Sequence, residues 1–535
     1  MFRSVWVSTC AVFVCSLFHA TPAFSQEAPI EPVFDLLIRQ ARIVDGTGNP
    51  WFRGDVAVKD GRISAVASHL DARADREIPG AGLVLAPGFI DVHAHIEGGV
   101  FETPQADNFL FDGVTTVITG NCGGSAWPLK DFFARMEAET IGINVASLIG
   151  HNTVRRQVLG DDLVQPDSGQ LAEMRKLVAD AMDEGAVGLS TGLIYLPGLF
   201  AKTEEVVVLA KESASHGGVY ATHMRTERTV KILDAIDEAI AVGREAGIPV
   251  EISHLKVGKE LDGLEREVLA KIETARAEGL DVTADQYPYA ASSTTLVTVL
   301  PDWAIAGGEA AMRERLAAPE TRRRIADEVR GAREKAGYTN LEYIAIAAHE
   351  PEAALNGKRV PEITALRGRP AGLASDVETV LELLSQPGRT SVIYHSWSEP
   401  GVDAILRHPA VAVASDGGIQ TMGKNVPHPR SYGSNARVLG RFVRERKVIS
   451  LEEAIRKMTS LPARTFRMRD RGLILPGYVA DLVLFNEREV VDNATYDDPH
   501  QLSAGFSYVL VNGVLEIDGG KRSPAMAGRV VRRQK

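Results

Sequence analysis

Phe89-Ile-Asp-Val-His93 is a short apolar run that ends on an imidazole, and the same pattern returns along the chain. It recurs as Val114-Thr-Thr-Val-Ile-Thr-Gly-Asn-Cys122, Val145-Ala-Ser-Leu-Ile-Gly-His151, Val187-Gly-Leu-Ser-Thr-Gly192, Gly218-Val-Tyr-Ala-Thr-His223, Pro249-Val-Glu-Ile-Ser-His254, Asp281-Val-Thr-Ala-Asp-Gln-Tyr287 and Val411-Ala-Val-Ala-Ser-Asp416. Between several of these runs lie amphipathic stretches such as Thr203 to His216 and Val230 to Ala246, each closed by a glycine before the next run. Strands alternating with helices predict a parallel sheet, and eight such units predict a (β/α)8 TIM-type barrel over residues 87–466. In that architecture catalytic residues sit where the strands end.

Two further strand-like runs interrupt the count. Tyr343 to His349 is assigned to an insertion in the barrel at about residues 293–365, since a barrel loop of that length carries structure or function of its own. Thr390 to His395 is left unassigned. The chain ends read differently. Phe34 to Asp45 and Gly54 to Val66 alternate apolar and polar residues around an Asp-Gly turn, and Ala480 to Phe485 and Tyr508 to Val514 supply partners. They predict a small β-sandwich domain built from both termini, residues 26–86 and 467–535.

At the N-terminus Arg3 precedes an apolar run from Val5 to Phe18, followed by Ala23-Phe-Ser25, the pattern of a signal peptide over residues 1–25. It predicts export, to a bacterial periplasm. The run is shorter than the roughly 20 residues a bilayer span needs, so no membrane span is expected. Removal of the leader would take Cys10 and Cys15 with it and leave Cys122 without a disulfide partner. The net charge of −11 comes without any long Lys/Arg cluster, which excludes nucleic acid as the expected partner.

The polar strand ends gain meaning together. His93 and His95 alternate with Ala94, so they share a face at roughly 7 Å spacing. His223, His254, Asp416 and Cys122 stand at four other strand ends. Imidazole, thiolate and carboxylate converging on one barrel mouth form the donor set of a catalytic Zn²⁺.

Ala86-Pro-Gly-Phe-Ile-Asp-Val-His-Ala-His95, the terminal β strands and Val413-Ala-Ser-Asp416 resemble the amidohydrolase superfamily. Gly120-Asn-Cys-Gly123, Gly188-Leu-Ser-Thr-Gly-Leu-Ile-Tyr195, Tyr220-Ala-Thr-His-Met-Arg225, Ile252-Ser-His-Leu-Lys256 and Tyr287-Pro-Tyr-Ala-Ala-Ser-Ser293 narrow the likeness to the D-aminoacylase (N-acyl-D-amino-acid deacylase) family, over about residues 34–515. The resemblance implies one tight zinc on Cys122, His223 and His254, and a second, weaker position on His93, His95 and Asp416 with Cys122 between. It implies that Lys256, Tyr287, Ser293 and Arg430 bind a substrate carboxylate and that Tyr195 touches substrate. Tyr289, next to the Tyr287 motif, is read instead as a solvated side chain or one standing behind the site, and His151 as one standing behind the ligands. The fourth strand lacks a lysine, which argues against the ring-opening hydantoinase and dihydroorotase branches.

The expected chemistry is hydrolysis of an N-acyl-D-amino acid by a metal-activated water, with Asp416 as general base and then acid. D-selectivity rests on the resemblance alone. Two other readings stay open at this point: a dipeptidase or another amide or lactone hydrolase, and a periplasmic zinc-binding protein without turnover. Asp416 speaks against the last, because a structural zinc is closed by protein ligands and needs no base. Two departures bear on specificity. Ile96-Glu97 replaces the family's acidic pair, and the segment from Gly417 to Pro429 is a longer loop than expected.

Overall fold

The computed structural model describes residues 33–261 and 263–534. The leader expected over residues 1–25 lies outside them.

All eight expected strands form. In chain order they are Phe89–Asp91, Val114–Thr119, Asn144–Ser147 continued by Ile149–Gly150, Gly188–Gly192, Val219–His223, Val250–Ile252, Val282–Gln286 and Val411–Val413. Each is parallel to the next. The ring closes between the eighth strand and the first, where Asp416 N donates to His93 O (2.8 Å) and His95 N donates to Gly417 O (2.7 Å). Closure is therefore made by the residues that carry the candidate site.

Side-chain alternation sorts each strand. Val219 and Ala221 share a face with His223, and Ala412 and Ala414 with Asp416; these apolar residues cluster with Ile118 and Ala146. The polar ends thus stand on an apolar floor that excludes water from beneath them. The helices cover the other face. Ile232–Ala246 buries Ile232, Ala235, Ile236, Ala239 and Ile240, the three- and four-residue spacing of a helix with one apolar side. Gly243 lets that helix approach the sixth strand, since a Cβ there would lie 2.3 Å from Val250 Cγ2.

The insertion is longer than expected. Ser292–Thr295, Ile344–His349 and Thr390–Tyr394 form one antiparallel sheet with Thr390–Tyr394 at its centre. An end near residue 365 would remove the central strand, so the boundary moves past Tyr394. The run left unassigned belongs here, and its core, including Leu296, Ile346, Val380 and Tyr394, is separate from that of the barrel.

The two chain ends join in one continuous nine-stranded sheet, in which Leu482–Phe485 pairs with Val84–Pro87 and links the C-terminal strands to the N-terminal ones. Leu36, Ile38, Val56, Ile78, Leu482 and Leu510 pack together as its core. The last residues do not stay in this domain as the expected range 467–535 implied. Val531 N donates to Val145 O (2.8 Å) and Gly528 N to Ile141 O (2.8 Å), so the tail is stitched onto the barrel beside its third strand. No helix among the described residues is long and apolar enough to cross a membrane.

Candidate metal centre and active site

The turn Gly120-Asn-Cys-Gly123 presents the thiol. Gly120, Cys122 and Gly123 all have positive φ (76°, 52° and 76°), and Asn121 Nδ2 pins the turn by donating to Val92 O (3.2 Å) and Ile118 O (2.9 Å). Ser190 on the fourth strand accepts from Gly123 N (3.1 Å) and braces the same turn. His254 and Asp416 also have positive φ, 37° and 50°. Left-handed backbone at a residue with a Cβ costs of order 1–3 kcal/mol, and such strain collects at functional sites.

The strand ends meet as expected. Cys122 Sγ lies 3.3 Å from His93 Nε2, 3.5 Å from His223 Nδ1 and 3.5 Å from His254 Nε2. His223 Nδ1 and His254 Nε2 are 2.7 Å apart. Asp416 Oδ1 is 3.1 Å from His95 Nε2 and 3.6 Å from His93 Nε2. The six predicted ligands fall into three overlapping groups able to hold a metal: Cys122 with His93 and His254, His93 with His95 and Asp416, and His223 with His254 and Glu227, the last of which the sequence reading did not include.

Electrostatics and spacing both suit zinc. Burial opposes ionisation of Cys122, but the charges of His93 and His254 and the hydrogen bonds of His223 and His254 outweigh it and hold the thiol well below its ordinary range. The same holds for Asp416, where burial is outweighed by Arg430, His93, His254 and His95. A tetrahedral zinc with Zn–S near 2.3 Å and Zn–N near 2.0–2.1 Å places sulfur and nitrogen ligands about 3.5 Å apart. The sulfur–nitrogen distances of 3.3 to 3.5 Å match that edge. The 2.7 Å between His223 Nδ1 and His254 Nε2 is shorter than the roughly 3.3 Å between two nitrogens on one such ion, so these two rings would have to part to hold it.

Two acidic residues that sequence reasoning missed orient the ligands. Asp285 Oδ2 faces His93 Nδ1 (3.1 Å), and its Oδ1 accepts from His254 N (2.9 Å). Glu227 Oε1 faces His254 Nδ1 (3.0 Å) and accepts from Lys256 Nζ (2.9 Å). Carboxylates on the far nitrogen of a ligating histidine fix its tautomer and ring orientation. Asp285 carried a signal, since it alternates with Thr283 and Tyr287 and so shares their face. Glu227 sits four residues beyond His223 in a loop, where no periodicity reveals it.

The predicted substrate contacts divide. Lys256, Tyr287 and Arg430 gather beside the ligands, with the Arg430 guanidinium 4.7 Å and Lys256 Nζ 5.4 Å from the Tyr287 ring centre. Arg430 pairs with Asp416 Oδ2 (2.7 Å). Burial raises the Tyr287 hydroxyl well above its ordinary range, so it stays a donor, and Tyr287 Oη has no protein partner. Tyr195 lies edge-on to His223 at 4.9 Å and hydrogen-bonds Thr294 (2.9 Å). Ser293 takes part through its carbonyl, which accepts from Arg430 Nη2 (3.1 Å), because pairing with Ile393 fixes its backbone in the insertion sheet. Tyr289 is buried against Arg437, His428 and Tyr496, a wall behind the site. His151 pairs with Glu205 (2.8 Å) in a buried group with Arg155 and supports no metal ligand.

The departures also find places. Ile96 is core, and Glu97 accepts from Thr119 Oγ1 (2.7 Å) and Gly120 N (2.8 Å), so it ties down the base of the Cys122 turn. The long loop ends on His428, whose Nδ1 accepts from Arg430 N (3.0 Å) while its Nε2 donates to Ala291 O (3.0 Å). These two hydrogen bonds position Arg430.

The amidohydrolase family model ("Amidohydrolase family") matches residues 77–515. The N-acyl-D-glutamate deacylase of Alcaligenes xylosoxydans xylosoxydans is 35% identical over 93% of this chain and 96% of its own length. The chain belongs to the D-aminoacylase branch of the amidohydrolase family. Two solved structures of this branch superpose closely. One is the N-acyl-D-glutamate deacylase of Bordetella bronchiseptica, complexed with zinc and a phosphonate mimic of the tetrahedral intermediate; it is 32% identical, covers 94% of this chain and 100% of that chain, and has a TM-score of 0.80. The other is a D-aminoacylase with a binuclear metal centre, 34% identical with the same coverage and a TM-score of 0.79. This amidohydrolase is accordingly a hydrolytic enzyme.

Proposed function

We propose that this amidohydrolase cleaves the amide bond of N-acyl-D-amino acids, releasing a carboxylic acid and a free D-amino acid. The observation that carries the reading is the adjacency of two sets of side chains, the Cys122–His93–His223–His254–Asp416 cluster and the carboxylate-binding cations Lys256 and Arg430 around Tyr287. The relatives' substrates support the D configuration.

Cys122, His223 and His254 would hold the tight zinc, and His93, His95 and Asp416, with Cys122 between, the second and weaker one. The binuclear D-aminoacylase, described with one-metal activation and second-metal attenuation, supports that order. Zinc bound here supplies a Lewis acid that polarises a carbonyl and brings the pKa of water down to about 7. Asp416 accepts the proton of the attacking water at its carboxylate and returns it to the leaving nitrogen. Lys256, Tyr287 and Arg430 hold the substrate α-carboxylate, with Arg430 exchanging Asp416 Oδ2 for a ligand oxygen in a two-pronged contact. Tyr195, its hydroxyl kept protonated chiefly by burial, closes the opposite side beside His223.

Amine release by the zinc-loaded protein from paired N-acetyl-D- and N-acetyl-L-amino acids tests this. Turnover confined to the D series is expected; equal turnover of both series, or of neither, refutes it.

A further inference from the structure

We propose that Arg228 and Trp397 form a subsite for a second carboxylate, on the side chain of the amino acid, which makes acidic N-acyl-D-amino acids the preferred substrates. The proposal rests on the deacylase reading and adds a substrate class to it.

Three cations stand around Tyr287 and Trp397, and two have partners. Lys256 pairs with Glu227 (2.9 Å) and Arg430 with Asp416 (2.7 Å). Arg228 forms no ion pair among the described residues; its guanidinium lies over aromatic rings, 4.5 Å from the centre of Tyr394 and 5.4 Å from that of Trp397. Lys256 Nζ is 5.4 Å from that same Trp397 ring, so one indole carries both cations. Trp397 is only 6% exposed, and its Nε1 has no hydrogen-bond partner in the protein. A buried donor left unpaired is disfavoured, and an indole N–H and a guanidinium can only donate. What completes them is an acceptor, and the unpaired charge makes it an anion.

The ring is held in place. Gly258 and Trp397 form a backbone bridge, Lys259 N donates to Ser396 O (3.2 Å), and Gly258 N donates to Glu227 O (3.1 Å). These bonds tie the loop bearing Arg228, the loop bearing Lys256 and the insertion together. Glu260 and Arg333 are further charges near these rings, and Glu260 is engaged by Tyr338 (2.6 Å).

Substrate connectivity then selects the arm. The scissile amide must reach the metal cluster, and the α-carboxylate occupies Lys256 and Arg430. The remaining substituent on Cα is the side chain, and a side-chain carboxylate lets one dicarboxylic amino acid engage the cations on both sides of Trp397. A neutral side chain would leave the buried Trp397 Nε1 unpaired and the half-buried Arg228 with solvent alone.

The test uses the zinc-loaded full chain and its Arg228→Met and Trp397→Phe variants, the second of which keeps the ring and removes the N–H. For N-acetyl-D-glutamate, N-acetyl-D-aspartate, N-acetyl-D-leucine and N-succinyl-D-leucine, kcat/KM is measured by amine release and Kd by calorimetry. An acidic-over-neutral preference of about 10- to 100-fold is expected in the wild type, lost in Arg228→Met and reduced in Trp397→Phe. An unchanged ratio in Arg228→Met overturns the subsite. So does a loss confined to N-succinyl-D-leucine, which would put the second carboxylate on the acyl group. Selective binding of N-acetyl-D-glutamate that depends on Arg228, without turnover, would sustain the subsite and refute the deacylase reading.

Discussion

Asp416→Asn is expected to lower kcat by about 10²- to 10⁴-fold, the range that a positioned general acid–base contributes, while the zinc on Cys122, His223 and His254 remains bound. The carboxamide has the same shape; its single oxygen can keep the contact that Oδ2 makes with Arg430 (2.7 Å), while its NH₂ takes the place of the Oδ1 that faces His95 (3.1 Å). It cannot take up a proton. The closed backbone bond from Asp416 N to His93 O persists in the variant, so the barrel seam is kept. Steady-state kinetics with metal analysis on the same preparation separates chemistry from metal loss. A kcat within a few-fold of wild type would place the base elsewhere.

Cys122→Ala is expected to reduce tightly bound zinc from about one equivalent to background, and hydrolysis with it. The thiol touches three histidines at 3.3 to 3.5 Å and is the one anionic ligand shared by both proposed positions. Removing it also leaves His223 and His254 facing each other at 2.7 Å with one donor set incomplete. Cys122→Ser keeps the size of the side chain and tests whether the thiolate itself is needed. Elemental analysis after dialysis reads the outcome, and stoichiometric zinc in Cys122→Ala would move the tight site to His93, His95 and Asp416.

The barrel and the convergence of the expected ligand residues on one rim were legible because they depend on local periodicity. Each ligand ends a β-branched or alternating run, and parallel pairing forces such ends to one rim. The insertion was misjudged for the opposite reason. Thr390–Tyr394 pairs with Ser292–Thr295 across about 100 residues of sequence, and nothing in the run itself states its partner. The residues that orient or extend the site were hidden in the same way. Asp285 needed the alternation of a strand read for direction, Glu227 and Arg228 stand in a loop, and Trp397 reaches the site only through the folding of the insertion. Ser293 illustrates the converse, where the motif position lies beside Arg430 but the contact is made by its carbonyl oxygen, which only tertiary context decides.

The most direct test of the whole is a zinc titration of chelator-stripped protein, followed by amine release from N-acetyl-D-amino acids. Restoration of turnover by about one equivalent of zinc, with no further gain or a decline at the second, is the expected result for one tight site on Cys122, His223 and His254 beside a weaker one. Full turnover by metal-free protein, or zinc binding that restores none, would contradict it.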